Sequence, residues 1–134
     1  MKDLRLSLIE IWFGKTKSLI KKEDYRSITP YWCNRLLLWG GKKLSKIGWY
    51  EKLVSGEHTT EYLIQKYLKN GLITFQDFTT NTMTLGYPSN NDKDRIIQFE
   101  HEGIEIRTGN PDWGAEEGKL YFVIKHGKRL CKEI

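Results

Sequence analysis

The sequence predicts an α+β fold: a curled sheet or small β-barrel of five to six strands, with helices mainly from the N-terminal half. Two observations carry this. Capped or amphipathic helical segments are confined to the first 70 or so residues, and beyond Gly71 the apolar residues recur with the two-residue period of strands. At 134 residues the chain makes one domain spanning 1–134, long enough to bury roughly two-thirds of the surface of its unfolded form.

Taken in order, Leu4, Leu6 and Leu8 alternate with Arg5 and Ser7, as a strand buried on one face does. A helix is expected from about Glu10, placing Leu8, Trp12, Thr16 and Leu19/Ile20 on one face, with Phe13 beside it and Trp12 as its core anchor. Gly14 weakens that helix by about 1 kcal/mol relative to alanine. Lys21 to Ile28 is read as a charged strand. Thr29-Pro30 then opens a second helix, threonine as N-cap and proline at the first helical position, running over Tyr31–Trp39 and stopped by Gly40-Gly41.

Lys42, Lys43 and Lys46 form an exposed basic loop. A helical turn or two is expected from Trp49 to Val54, ending at Ser55-Gly56. A longer helix, capped at Thr59 or Thr60, runs to Lys69 before Asn70-Gly71. The 40–70 block reads as a helical insertion laid against a smaller β core. Strands follow over Leu72–Phe78, Met83–Tyr87, Ile96–Phe99, Ile104–Ile106 and Leu120–Lys125. The connections are a Ser89–Asp94 loop, a turn near Glu102-Gly103 and a long turn at Asn110–Gly114.

No apolar run approaches the roughly 20 residues of a membrane span, and no leader pattern opens the chain, so a cytoplasmic protein without a membrane partner is expected. Cys33 and Cys131 lie far apart, which favours reduced thiols over a disulfide. His58, His101 and His126 lack metal-ligand spacing, so no metal is expected, and no cofactor is indicated. Charge is uneven: residues 1–70 hold 14 Lys/Arg against 7 Asp/Glu, and residues 71–134 hold 8 against 10. A basic half interleaved with aromatics suits an anionic partner, although a lysine-rich surface has the same composition.

The functional candidates cluster between Leu6 and Arg35. Lys21, Asp24 and Arg26 put ammonium, carboxylate and guanidinium close together, flanked by Tyr25, Tyr31 and Trp32. Lys21, Arg26 and Arg35 suit phosphate or a base edge, Arg26 with a bidentate geometry lysine lacks. Tyr25, Tyr31 or Trp32 would stack on a base, and Asp24 would accept from a base amino group or hold Lys21 in place. The alternative is a partly exposed ion-pair network worth about 0–1 kcal/mol per pair, with no further role.

Trp12-Phe13, Lys21, Asp24-Tyr25-Arg26, Ile28, Pro30-Tyr31-Trp32 and Arg35 resemble the front end of bacterial ASCH-domain proteins. Gly86-Tyr87, Gly103–Ile106, Gly109–Pro111, Trp113–Ala115 and Tyr121–Ile124 resemble the back end. The resemblance implies a β-barrel related to the PUA RNA-binding domains, with RNA or a nucleotide as partner. The family's hallmark is Gly-x-Lys-x-x-Glu; here Leu19, Lys21 and Asp24 stand at its positions, so only the lysine is unchanged. Leu19 replaces the glycine that would permit a positive-φ turn. A second near-match, Gly56-Glu57-His58-Thr59-Thr60-Glu61, has histidine for the lysine and is the weaker copy.

Two further readings come from the same residues. Some ASCH relatives are amidohydrolases acting on acetylated cytidine, for which the resemblance implies a threonine nucleophile at the hallmark's last position, and others have been proposed to cleave RNA, so a hydrolase acting on a modified nucleoside or RNA is the alternative. Asp24 cannot serve as that hydroxyl, which leaves Lys21/Asp24 as an acid–base pair if the chain is an enzyme. Alternatively Trp49, Tyr50, Tyr62 and Tyr67 of the insertion would anchor a protein partner. Asn110, Trp113, Gly114 and Glu116 recur in the family, though a turn accounts for Asn110-Pro111 and Gly114.

Overall fold

The structure is a computed structural model that describes residues 2–54, 56–89 and 91–130. Ser55, Asn90 and Cys131, on which sequence expectations fell, lie outside the described residues.

Leucines 4, 6 and 8 do alternate inward, forming β1 (Asp3–Leu8). Glu10 opens α1 (Glu10–Lys17), and the charged segment after it is β2 (Glu23–Ser27). Thr29 caps α2 (Pro30–Leu36), its side chain accepting from the Trp32 amide. That helix stops three residues short of expectation. Leu37–Trp39 is β3, extended so that Leu37 pairs with Phe75 and Trp39 with Ile73 of β4 (Ile73–Phe75). Long-range pairing overrides the local helical pattern there. Between them lie α3 (Lys46–Leu53), which starts three residues earlier than expected, and α4 (Thr60–Lys69), capped by Thr59.

The main sheet adds β5 (Thr80–Leu85), β6 (Ile96–Thr108) and β7 (Leu120–Leu130) in the order β1-β5-β6-β7-β2. β1 runs parallel to β5; every other pairing in the sheet is antiparallel. The result is a curled five-stranded half-barrel with four α-helices among the described residues. β6 corrects an expectation: no turn interrupts it at Glu102-Gly103. Its register instead shifts on either side of His101, and Gly103 takes φ 113°. A bulge bends the strand where a hairpin was expected, using a conformation that suits glycine.

Leu4, Leu6, Leu36, Met83, Phe122 and Ile124 meet in one core within the curl, and Trp49, Leu53 and Ile64 of α3 and α4 belong to the same cluster. Trp39 binds this helical layer, edge-on to Trp49 at 5.7 Å and to Tyr67 at 5.5 Å. The buried face of α1 is Phe13 and Thr16. Leu19 and Ile20, expected on that face, are exposed, and Trp12 is half-buried outside the core. Its ring lies against Gly114, where a Cβ would approach within 2.9 Å.

A guanidinium-bridged seam as candidate functional site

A half-barrel leaves two edge strands, β1 and β2, without a ladder between them. Side chains fill that gap. Arg26 on β2 reaches across to donate to the Ser7 carbonyl (3.0 Å), and Arg35 on α2 donates to the Arg5 carbonyl (2.6 Å). Buried or half-buried carbonyls need such donors, and the seam supplies them from arginine where strands elsewhere use backbone amides. Trp32 lies between these arms on the helix, its ring centroid 4.8 Å from the Arg26 guanidinium carbon and 4.9 Å from that of Arg35.

These residues border a hollow of about 230 Å³ lined by Arg5, Ser7, Arg26, Tyr31, Trp32, Arg35, Thr84 and Tyr87. Among the described residues three guanidiniums and no carboxylate line it, so its field favours an anion. Trp32 is engaged by both arginines and by the edge of Tyr31 (5.2 Å, 84°). The accessible rings are therefore Tyr31, 49% exposed, and Tyr87, 96% exposed. Of the seven binding candidates read from sequence, Arg26, Tyr31, Trp32 and Arg35 share this hollow. Arg5 and Tyr87 are added to them; β1 alternation puts Arg5 on the face opposite the leucines, which was the available signal, whereas nothing local pointed to Tyr87.

Lys21 and Asp24 lie behind this wall rather than in it. Both are buried, at 3% and 4% exposure, unlike the partly exposed network expected. Lys21 Nζ donates to the Glu23 carbonyl (2.7 Å) and to Asp24 Oδ1 (3.0 Å), while Asp24 Oδ2 accepts from Arg26 Nε (2.6 Å). Burial pushes the Asp24 carboxyl up, but Arg26 and Lys21 outweigh it and hold the group below the usual carboxylate range. A carboxylate kept ionised between two cations is suited to positioning Arg26, and it has no proton to deliver near neutral pH. Lys21 lines a different hollow, shared with Leu19, Phe99, His126 and Lys128.

Tyr25 is separated from the seam by strand alternation. Its hydroxyl donates to Glu23 Oε1 (2.6 Å) and accepts from the Asn110 amide (2.8 Å), and its ring packs 5.7 Å from Tyr121. Burial and the Glu23 carboxylate push its pKa to about 12. Glu23 is also bonded by Arg107. This cluster fixes the Asn110–Gly114 turn, in which Asn110 Oδ1 accepts from the Asp112 amide (3.0 Å).

Sequence reading also missed a buried polar line across the sheet. Asn81, fully buried, accepts from His101 Nδ1 (2.6 Å) and donates to the Lys125 carbonyl (3.2 Å) and to His126 Nδ1 (2.8 Å). Because the Lys125 oxygen only accepts, the nitrogen of the Asn81 amide must face it, and the His126 proton is then placed on Nε2. The two histidines are 25 residues apart, and only the β6–β7 pairing His101↔His126 unites them. Among the described residues no cluster of three or more His, Cys, Asp or Glu is placed to hold a metal, and no helix is long and apolar enough to cross a membrane. No protein-family model, curated protein or solved structure matches the chain.

Proposed function

We propose that the chain binds RNA or a nucleotide at the guanidinium-lined seam, as an ASCH-type domain of the PUA-like barrel class. The observation that carries this reading is the convergence of Arg5, Arg26 and Arg35, with no carboxylate on the lining among the described residues, beside the open rings of Tyr31 and Tyr87. Phosphate meets the guanidiniums and a base meets a ring, a combination that recognises nucleic acid without requiring a particular base. Leu19 supports the family reading in one respect. It adopts φ 65°, the conformation that the hallmark's glycine would provide at this position. The buried Lys21–Asp24 pair supports a binding role over acid–base catalysis, since both groups are committed to each other and to their neighbours.

Fluorescence anisotropy with a short labelled RNA tests the proposal. Affinity is expected to fall as salt rises, and Arg5→Ala to weaken binding and flatten the logarithmic salt slope by about one unit. Binding that is absent, or indifferent both to salt and to Arg5→Ala, would overturn it.

A further inference from the structure

Tyr31 has two sides. One closes the guanidinium hollow; the other forms a wall of a second, apolar hollow of about 450 Å³ that it shares with Thr29, Pro30, Lys46, Ile47 and Tyr50. Ile47 and Tyr50 are 71% and 57% exposed, high values for side chains of this size. The Tyr50 ring contacts no other ring, and its hydroxyl has no hydrogen-bond partner among the described residues. The reason for the local geometry is visible in the chain. Pro30 starts α2 and turns Tyr31 outward at its first turn, while α3 begins at Lys46 and presents Ile47 and Tyr50 one turn apart.

Resting on the RNA reading above, we infer that the ligand is an oligonucleotide of at least two residues, whose phosphate occupies the arginine hollow and whose neighbouring base enters the Tyr31–Tyr50 hollow. The occupant is set by what lies next door. A group tethered directly to an anion held by Arg26 and Arg35, yet flat and apolar enough for a hollow walled by tyrosine, isoleucine and proline, is a nucleobase. Lys46 stands at this second hollow and suits the phosphate beyond that base. A mononucleotide sets its own base on the exposed Tyr87 ring beside the guanidiniums, so the second hollow takes the base of the next residue.

The experiment compares inorganic phosphate, a mononucleotide, the corresponding dinucleotide and a tetranucleotide on the wild type, Tyr50→Ala and Arg35→Ala, by calorimetry. The dinucleotide is expected to bind at least fivefold more tightly than the mononucleotide. Tyr50→Ala should remove about 5- to 150-fold of dinucleotide affinity, the equivalent of one stacked base, while leaving mononucleotide affinity unchanged. Arg35→Ala should weaken both. Equal affinity for mono- and dinucleotide, or a dinucleotide indifferent to Tyr50→Ala, overturns the inference while mononucleotide binding sensitive to Arg35 leaves the seam reading standing. Binding of neither overturns both. A sedimentation coefficient that falls on Tyr50→Ala identifies the patch as a contact between copies of the chain and likewise overturns it. Tyr50 is exposed, so its removal leaves the fold intact for these measurements.

Discussion

Leu19 holds a backbone conformation that L-residues seldom adopt. With φ 65° it sits just past the α1 C-terminus, where its amide bonds the Thr16 carbonyl (3.1 Å) and the Ile20 amide bonds the Lys15 carbonyl (3.0 Å). That bonding pattern satisfies two terminal carbonyls of the helix and sets the direction in which Lys21 enters β2. A left-handed leucine costs about 1–2 kcal/mol, and an exposed side chain returns little burial in compensation. Leu19→Gly is therefore expected to stabilise the protein by about 1 kcal/mol, less than the full strain because glycine also loses more entropy on folding. Chemical denaturation checks this; a variant less stable than wild type would show that the leucine side chain contributes contacts outweighing the strain. Asp24 shows the opposite economy. Its burial is tolerable only because Lys21 and Arg26 take both oxygens, so its carboxylate serves the site by fixing a guanidinium rather than by touching a ligand.

At the level of elements, what could be read from the chain depended on whether a local signal was sufficient. Caps at Thr29 and Thr59 and the stop at Asn70-Gly71 act through their nearest neighbours, and the helices begin or end where those residues stand, whereas α2 ends at Leu36, before Gly40-Gly41 is reached. Leu37–Trp39 failed to be helical because its partner, β4, lies more than 30 residues away. Glu102-Gly103 looked like a turn because glycine serves turns and bulges alike, and only the β7 register distinguishes them. The site divides the same way. Arg26, Tyr31, Trp32 and Arg35 are close in sequence and were legible together, whereas Arg5 and Tyr87 reach the hollow through the parallel β1–β5 pairing. The 40–70 block was read as an insertion resting on the β core, yet α3 sends Trp49 fully into the shared core, edge-on to Trp39. Trp49→Ala is accordingly expected to cost about 3–5 kcal/mol and to lower the single unfolding transition as a whole. A selective loss of helical signal, with the sheet melting unchanged in near-ultraviolet dichroism, would instead mark the block as an independently unfolding layer.

For the molecule as a whole, buried and half-buried ionisable groups on β2, β6 and β7 act in one direction. Burial, the largest influence, lowers His126 to about 4 and also lowers His101, so the folded protein keeps neutral imidazoles where the unfolded chain would take up protons near pH 6.5. A base with a depressed folded pKa means that the unfolded state binds more protons between the two values, and stability must fall as pH falls through that window. Asp24 and Glu23, both held below the usual carboxylate range despite burial, extend the loss to lower pH, because protonating them removes the partners of Lys21, Arg26 and Arg107. His126 alone contributes on the order of 2–3 kcal/mol of acid sensitivity between pH 6.5 and 4. Denaturant unfolding at pH 7 and pH 5 is expected to show a clear decrease, with His126→Gln flattening the slope between them because an amide cannot titrate. An unchanged slope in that variant would mean that His126 titrates normally in the folded state, and with it that the Asn81 line does not hold the imidazole neutral. The same chemistry ties fold to function: the acid-labile line through Asn81 braces β5, β6 and β7, and β5 in turn holds β1, the strand whose carbonyls anchor Arg26 and Arg35 across the seam.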